Sequence, residues 1–416
     1  MYTGPITNND GLDNVDRDSG GRAAPPLAIR PVHRTDTTGA DGVSFGYLSA
    51  ERPSSAPSTA QIGAAAALIT AAGPQPGDFS PPPEVAAFVR LLSHDIALTA
   101  ATQTDLPSAD GAPTRADGLA RLRNMHRGSI DLSVLYDSPS AALRDQATPR
   151  KLHAPGGVDA DPRLHGHALL RRLQTSLMRL HNRAVDDCDD PGIVAADPSL
   201  GFAAARAEVR QLVQWLAMAE ILPALCPPAT IKAVQGGLTP MFTRMVTRMG
   251  GGIPAVPLEA LAAALPLASL TAHERTVAPA EIAGLMLDGR GVALPSGQET
   301  VRAINRALGL RLAPLTDAEL RAGPAASVMD GAMMEHTPLW LYLLREAEER
   351  GVDGRLGPVG GHLLAQTVTG MIVNDPFSYW WRPADNGGRW RPVDGVLRHD
   401  GRPIETIAQL LAVSDD

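Results

Sequence analysis

The 416-residue chain contains few lysines and cysteines, and it has no strongly basic segment. Lys151 and Lys232 are the only lysines among 37 basic residues, and 45 acidic residues bring the formal net charge to −8. Since no basic block stands out, nucleic acid is not expected as a partner. The two cysteines, Cys188 and Cys226, are too few for a disulfide framework and lack the spacing of a zinc site.

Long hydrophobic runs are also missing. Stretches such as "EALAAALPLASL" are too short and too interrupted to span a bilayer. The first residues lack a basic start followed by an apolar stretch, which a secretory signal would need. We therefore expect a cytoplasmic protein that does not bind membranes.

Hydrophobic residues make up 44% of the chain, enough for a large core. Residues 1–42 are polar and rich in Gly, Asp and Pro, which predicts a flexible N-terminal tail. Residues 43–416 are predicted to form a single domain. Ordered structure is predicted to begin at "GVSFGYLSA". Residues 101–118 and 137–160 show no periodicity and are predicted to be long loops.

Helical periodicity dominates the predicted domain, and strand-like alternation is scarce. The strongest helix signals are Pro83 and Glu84 before Val85, Phe88 and Leu91; Asp161 as N-cap of a helix to Val185; "FAAARAEVRQLVQWLAMAEILPAL"; "TPLWLYLLREAEER" with Gly351 as C-terminal cap; and "GPVGGHLLAQTVTGMIV". The fold class is therefore mainly α, a large irregular helical domain.

Three places set polar side chains against apolar helices. His94 and Asp95 lie side by side in "LLSHDIALTA", where they are either a functional pair or a hydrogen-bonded structural one. Ser129, Asp131 and Ser133 alternate in "RGSIDLSVLYDS", a pattern typical either of a calcium loop completed by Asp95 or of a solvated turn. Arg163 opens a helix, against the helix dipole, and is either functional or a surface residue.

Those three segments, in that order, resemble the animal-type haem peroxidase superfamily in its bacterial branch. "DPRLHGHALLRRLQTSLMRLHNRAVDD", "GRGVALPSGQETV" and "TPLWLYLLREAEERGVDGRLGPVGGHLLAQTVTGMIVNDPFSYW" extend the likeness over roughly residues 43 to 413. The resemblance implies a myeloperoxidase-like helical fold. It also implies that His94 is the distal histidine, which moves a proton, and that Arg163 is the distal arginine, which stabilises negative charge. Asp95, Ser129, Asp131 and Ser133 match the calcium site of the family.

The segment that should ligate haem iron departs from the family. Alignment from Pro257 puts Ser269 where the proximal histidine belongs and Leu285 where its orienting asparagine belongs, and Pro266 should kink the helix. His273, one turn beyond Ser269, either replaces the ligand or faces solvent. Arg90, Ser93 and Gly166 replace other haem-contacting residues, and the last two exclude covalent haem esters.

The resemblance thus predicts an oxidoreductase homologue that acts on a small organic substrate, in bacterial specialised metabolism, with altered or lost iron ligation. Haem is an uncertain cofactor, since the proximal position is Ser269. One alternative is a haem-free enzyme that uses His94 and Arg163 for acid–base or anion-binding chemistry. Another is a non-catalytic relative of the peroxidases. The sequence does not give the oligomeric state.

Overall fold

The structure is a computed structural model, and it describes most of the predicted domain. The described residues are 44–49, 57–97, 124, 126, 128–136, 151–152, 167–187, 198–235, 239–249, 255–277, 279–384 and 387–415. The predicted tail, the whole predicted loop at 101–118, most of that at 137–160, and residues 161–166 with Arg163 and Gly166 lie outside this part of the chain.

Helices form most of the described chain, which confirms the mainly α fold class. The α-helices are α1 Thr59–Ala72, α2 Pro83–Ile96, α3 Ser133–Tyr136, α4 Ala168–Asp187, α5 Pro198–Leu216, α6 Leu222–Leu225, α7 Pro228–Gln235, α8 Pro240–Arg248, α9 Leu265–Ala268, α10 Ala272–Val277, α11 Pro279–Gly291, α12 Gly297–Leu308, α13 Asp317–Arg321, α14 Gly331–Glu335, α15 Leu339–Arg350, α16 Pro358–Val373 and α17 Ile407–Ala412. Short 3-10 helices cover Pro324–Val328, Tyr379–Trp381, Pro392–Asp394 and Val413–Asp415.

The described strands are few and short, as the scarce alternation predicts. Strand β1 (Ser44–Gly46) pairs in parallel with β2 (Ala255–Pro257), with Phe45 opposite Val256. Strand β3 (Arg398–His399) pairs antiparallel with β4 (Arg402–Pro403). Within the described ranges, no helix has the length and apolar character needed to cross a membrane.

Helix α16 lies at the centre of the fold. Every residue from Val359 to Val373 is buried, and α7, α8, α12 and α15 pack around it. Helix α2 lies to one side, where it packs directly against α3, α4 and α9. This packing brings the residues predicted for the distal side next to the segment predicted for the proximal side.

Two prolines follow wide π-helical turns. Ala217–Ile221 is a π turn between α5 and α6, two residues before Pro223, and Ala260–Ala264 is a π turn before α9, two residues before Pro266. A proline in a regular α-helix clashes with the carbonyl one turn earlier, and a wider turn relieves the clash. The helix of Pro266 therefore continues to Ala268 rather than breaking at the proline.

A buried carboxylate caps the N-terminus of α16. Glu346 of α15 is 2% exposed, and its Oε2 accepts hydrogen bonds from the N–H groups of Val359 at 2.9 Å and Gly360 at 3.1 Å. Burial raises the pKa of Glu346 to about 7, although these N–H groups act to lower it. The side chain therefore titrates near neutral pH.

We expect this pKa to make the protein less stable as pH rises. The folded chain binds the Glu346 proton more tightly than the unfolded chain, so the stabilisation is complete below the unfolded pKa and is lost as pH rises through about 7. The expected loss is about 2 kcal/mol between about pH 5 and about pH 8. Denaturant unfolding of Glu346→Gln should show a flatter pH dependence than the parent. Glu349→Gln, which changes a 30% exposed carboxylate on the same helix, is the matched control, and equal slopes in both variants would contradict the assignment.

Candidate functional site

Helix α2 presents its polar residues in two directions. Arg90 and His94 are four residues apart and share one face, whereas Asp95 is turned by about 100° from His94. His94 is half-buried and Asp95 is fully buried. The side chains of these two adjacent residues therefore lie in two different environments.

The first environment, on the His94 face of α2, is a cluster of polar side chains around Arg90. Its Nη2 donates to the carbonyl oxygen of Ser269 at 2.9 Å and to Oε1 of Glu274 at 3.3 Å. Its Nη1 lies 2.9 Å from Nε2 of His167, the residue just before α4. Arg90 thus connects α2 with α4 and with the segment that follows α9.

Electrostatics in this cluster favour a neutral imidazole beside fixed charges. Burial, and next the charge of Arg90, lower the pKa of His167, while Glu274 acts in the opposite direction. Burial acts to raise the pKa of Glu274, but the N–H and hydroxyl of Thr271 and the guanidinium of Arg90 outweigh it, so the pKa is lowered. The cluster therefore holds a guanidinium, a carboxylate and an imidazole that is neutral near pH 7.

The residues predicted for the proximal side make local contacts. Ser269 is the C-cap of α9, and its hydroxyl donates to the Pro266 carbonyl oxygen of the same helix at 3.0 Å. His273 lies exposed on α10. Leu285 on α11 lines a small open pocket together with Met286 and Leu294.

The second environment is the loop that contacts Asp95. Its Oδ2 accepts from the N–H groups of Asp131 at 3.1 Å and Leu132 at 3.0 Å, and its Oδ1 accepts from Val134 at 3.1 Å. Asp131 Oδ1 in turn accepts from the Ser133 hydroxyl at 2.7 Å. Helix α2 and the loop are therefore joined through a buried carboxylate.

The structure thus brings together some of the predicted residues. Asp95, Asp131 and Ser133 form one group, in which Ser129 is half-buried, and Arg90 meets Ser269. It keeps His273 at the surface, and the placement of Arg163 and Gly166 lies outside the described residues. Sequence reasoning missed His167 and Glu274. The sequence does offer one signal: Arg90 carries a charge within a helix of mostly apolar residues, and a charge buried there needs a partner.

Comparisons with known proteins support the fold only. No protein-family model matches the chain, and no curated protein matches it. Among solved structures, Peroxidase A from Dictyostelium discoideum is similar, with a TM-score of 0.50 and 12% sequence identity. The likeness covers 81% of this chain and 88% of that chain. The predicted peroxidase-like helical fold is thereby confirmed, whereas the bacterial branch and the altered proximal site stay predictions.

This likeness raises the question of whether the described residues fit haem. A haem between α2 and α9 would need a slot between the helices and an axial ligand such as imidazole. Helix α2 instead packs directly on α9, and the Arg90 guanidinium reaches across to Ser269. Within the described part of the chain, these residues do not fit the group, because the Arg90 guanidinium lies between the two helices and His273, the predicted replacement ligand, is exposed.

Proposed function

We propose that the chain is a haem-independent enzyme with a peroxidase-like fold, which carries out acid–base or anion-binding chemistry on a small organic molecule. The contact of Arg90 with the Ser269 carbonyl carries this proposal, because it joins the two sides between which a haem would have to lie. The oxidoreductase predicted from the sequence would instead need an open space for haem between α2 and α9.

The proposed site consists of Arg90, His167 and Glu274, with His94 one turn along α2 from Arg90. Arg163, four residues before His167 in the sequence, is the predicted further cation. The cluster is accessible at its edge, since the Glu274 side chain is 36% exposed while that of Arg90 is 12% exposed. A small substrate would approach from the Glu274 side.

Each group has a role that follows from its charge. His167, neutral near pH 7, has one basic ring nitrogen, which can accept a proton from a substrate and return it once Arg90 Nη1 has turned from the ring to a substrate anion. Arg90 holds a fixed positive charge that binds a carboxylate or phosphate, or stabilises negative charge developing on the substrate. Glu274 orients Arg90 in the absence of substrate and would be displaced from the guanidinium by a substrate anion.

The absence of haem binding is tested by absorption spectroscopy. Protein purified from haem-supplemented cells, and protein mixed with haem, should show no haem band that follows the chain through gel filtration. His273→Ala should behave like the parent. A band that follows the parent and disappears in His273→Ala would instead establish iron ligation by His273 and overturn the proposal. A band retained in both proteins would overturn it as well, with another ligand.

A further inference from the structure

Two buried carboxylates lie together at the end of α2. Asp95 is 0% and Asp131 5% exposed, and the Asp131 backbone N–H donates to the Asp95 carboxylate. Two carboxylates in a buried place need compensation by positive charge or by hydrogen bonds. The resemblance assigns that task to calcium.

Backbone N–H groups already take up the oxygens of Asp95. Leu132 adopts a left-handed conformation, with φ of 61°, although it carries a side chain and is fully buried. This conformation costs energy for any residue other than glycine, and it accompanies the convergence of the Asp131, Leu132 and Val134 N–H groups on one carboxylate. Calcium binds six to eight oxygens, so it would compete with donors that point at the same atoms.

Arg206 of α5 supplies positive charge at the other carboxylate. Its Nη2 lies 3.7 Å from Asp131 Oδ2, and its side chain is 22% exposed. Its Cζ lies 4.9 Å from the centre of the Tyr136 ring, a distance at which a guanidinium is attracted to an aromatic face. Tyr136 is itself held by His181, with 3.1 Å between its hydroxyl and Nδ1. The Tyr136 ring, which His181 holds in place, therefore positions the guanidinium beside Asp131.

We infer that Arg206 is the internal cation of this loop and takes the place that calcium has in the resembling family, so that residues 128–136 fold without a divalent metal. Among the described residues, no group of three or more Asp, Glu, His or Cys side chains is placed to hold a metal ion. The inference concerns the loop alone and does not depend on the proposed function.

Thermal unfolding of the full chain, in EDTA and in millimolar calcium, tests this inference. The parent should unfold at the same temperature in both solutions, and elemental analysis should find no bound calcium. A rise of about 2 °C or more with calcium would overturn the inference, because a ligand that binds only the folded state raises the melting temperature.

Variants of Arg206 separate its charge from its packing. Arg206→Ala should melt lower than the parent in EDTA and should regain part of the loss in calcium, since the two carboxylates then lack their cation. Arg172→Ala is the control for loss of an arginine, because Arg172 of α4 pairs with Asp415 at 2.8 Å instead. An equal loss in both variants, or no calcium response in Arg206→Ala, would overturn the inference. Should Arg206→Ala fail to fold, Arg206→Lys decides: a calcium-independent melting temperature supports the inference, and a calcium-dependent one overturns it.

Discussion

Replacing Asp95 with alanine should lower the free energy of unfolding by about 4–6 kcal/mol. The substitution leaves three buried N–H groups, those of Asp131, Leu132 and Val134, without the carboxylate that accepts their hydrogen bonds. Leaving a buried N–H group without an acceptor costs about 1–3 kcal/mol. The burial of the Asp95 carboxylate and its repulsion from Asp131, which both raise its pKa, are relieved by the substitution and offset part of the loss. Equilibrium unfolding in denaturant measures the difference.

Asp95→Asn is the informative companion variant. Its amide retains one acceptor oxygen of nearly the same shape, so the loss should be about half that of Asp95→Ala. His94→Ala removes the neighbouring, half-buried side chain and serves as the control for disturbance of α2. If Asp95→Ala costs less than about 1 kcal/mol, the carboxylate does not organise the loop.

Replacing Arg90 with alanine should lower the free energy of unfolding by about 2–3 kcal/mol and raise the pKa of His167. The bond from the guanidinium to the buried Ser269 carbonyl oxygen contributes about 1.5–3 kcal/mol, whereas the pair with Glu274, whose side chain is 36% exposed, is screened by water and contributes less than about 1 kcal/mol. The charge of Arg90 is one of the causes that lower the pKa of His167, after burial, so its removal acts in the upward direction. Denaturant unfolding and a histidine NMR titration give the two results.

Arg90→Lys separates charge from geometry. Lysine keeps the positive charge but lacks the planar fork that bonds Ser269 and Glu274 together, so stability should fall while the His167 pKa stays low. A His167 pKa unchanged in Arg90→Ala would show that the two side chains do not interact in solution, and would remove His167 from the proposed site.

Local signals predict much of the fold. Helix α2 begins at Pro83, as the Pro83–Glu84 pair predicts, and α15 ends at Arg350, immediately before Gly351. The physical reason for Gly351 differs from the predicted one. Its φ is −66°, so it is not a left-handed cap; a Cβ there would lie 2.1 Å from the Ala347 carbonyl oxygen and 2.3 Å from that of Arg355. The glycine is required by a close approach of two backbone segments, which no local pattern reveals.

The candidate site is less predictable, because its contacts join distant parts of the chain. The resemblance places Asp95 beside the 129–133 loop, and the structure brings them together, although the calcium role stays a prediction. Arg90 and Ser269 are 179 positions apart, and their contact depends on how α2 packs on α9. The positions of His167 and Glu274 follow from that packing, so neither periodicity nor spacing could identify them.

The π turn at Ala260–Ala264 changes how positions in this helix are counted. Such a turn contains one more residue than an α turn, and so acts as a single-residue insertion that rotates everything after it by about 100° about the helix axis. Relative to an uninterrupted α-helix, each side chain of α9, from Leu265 to Ala268, is therefore displaced by one position. The sequence alignment from Pro257, which predicts Ser269 at the position of the iron ligand, counts no such insertion; with one residue inserted the predicted position moves to Leu270, and neither residue carries an imidazole.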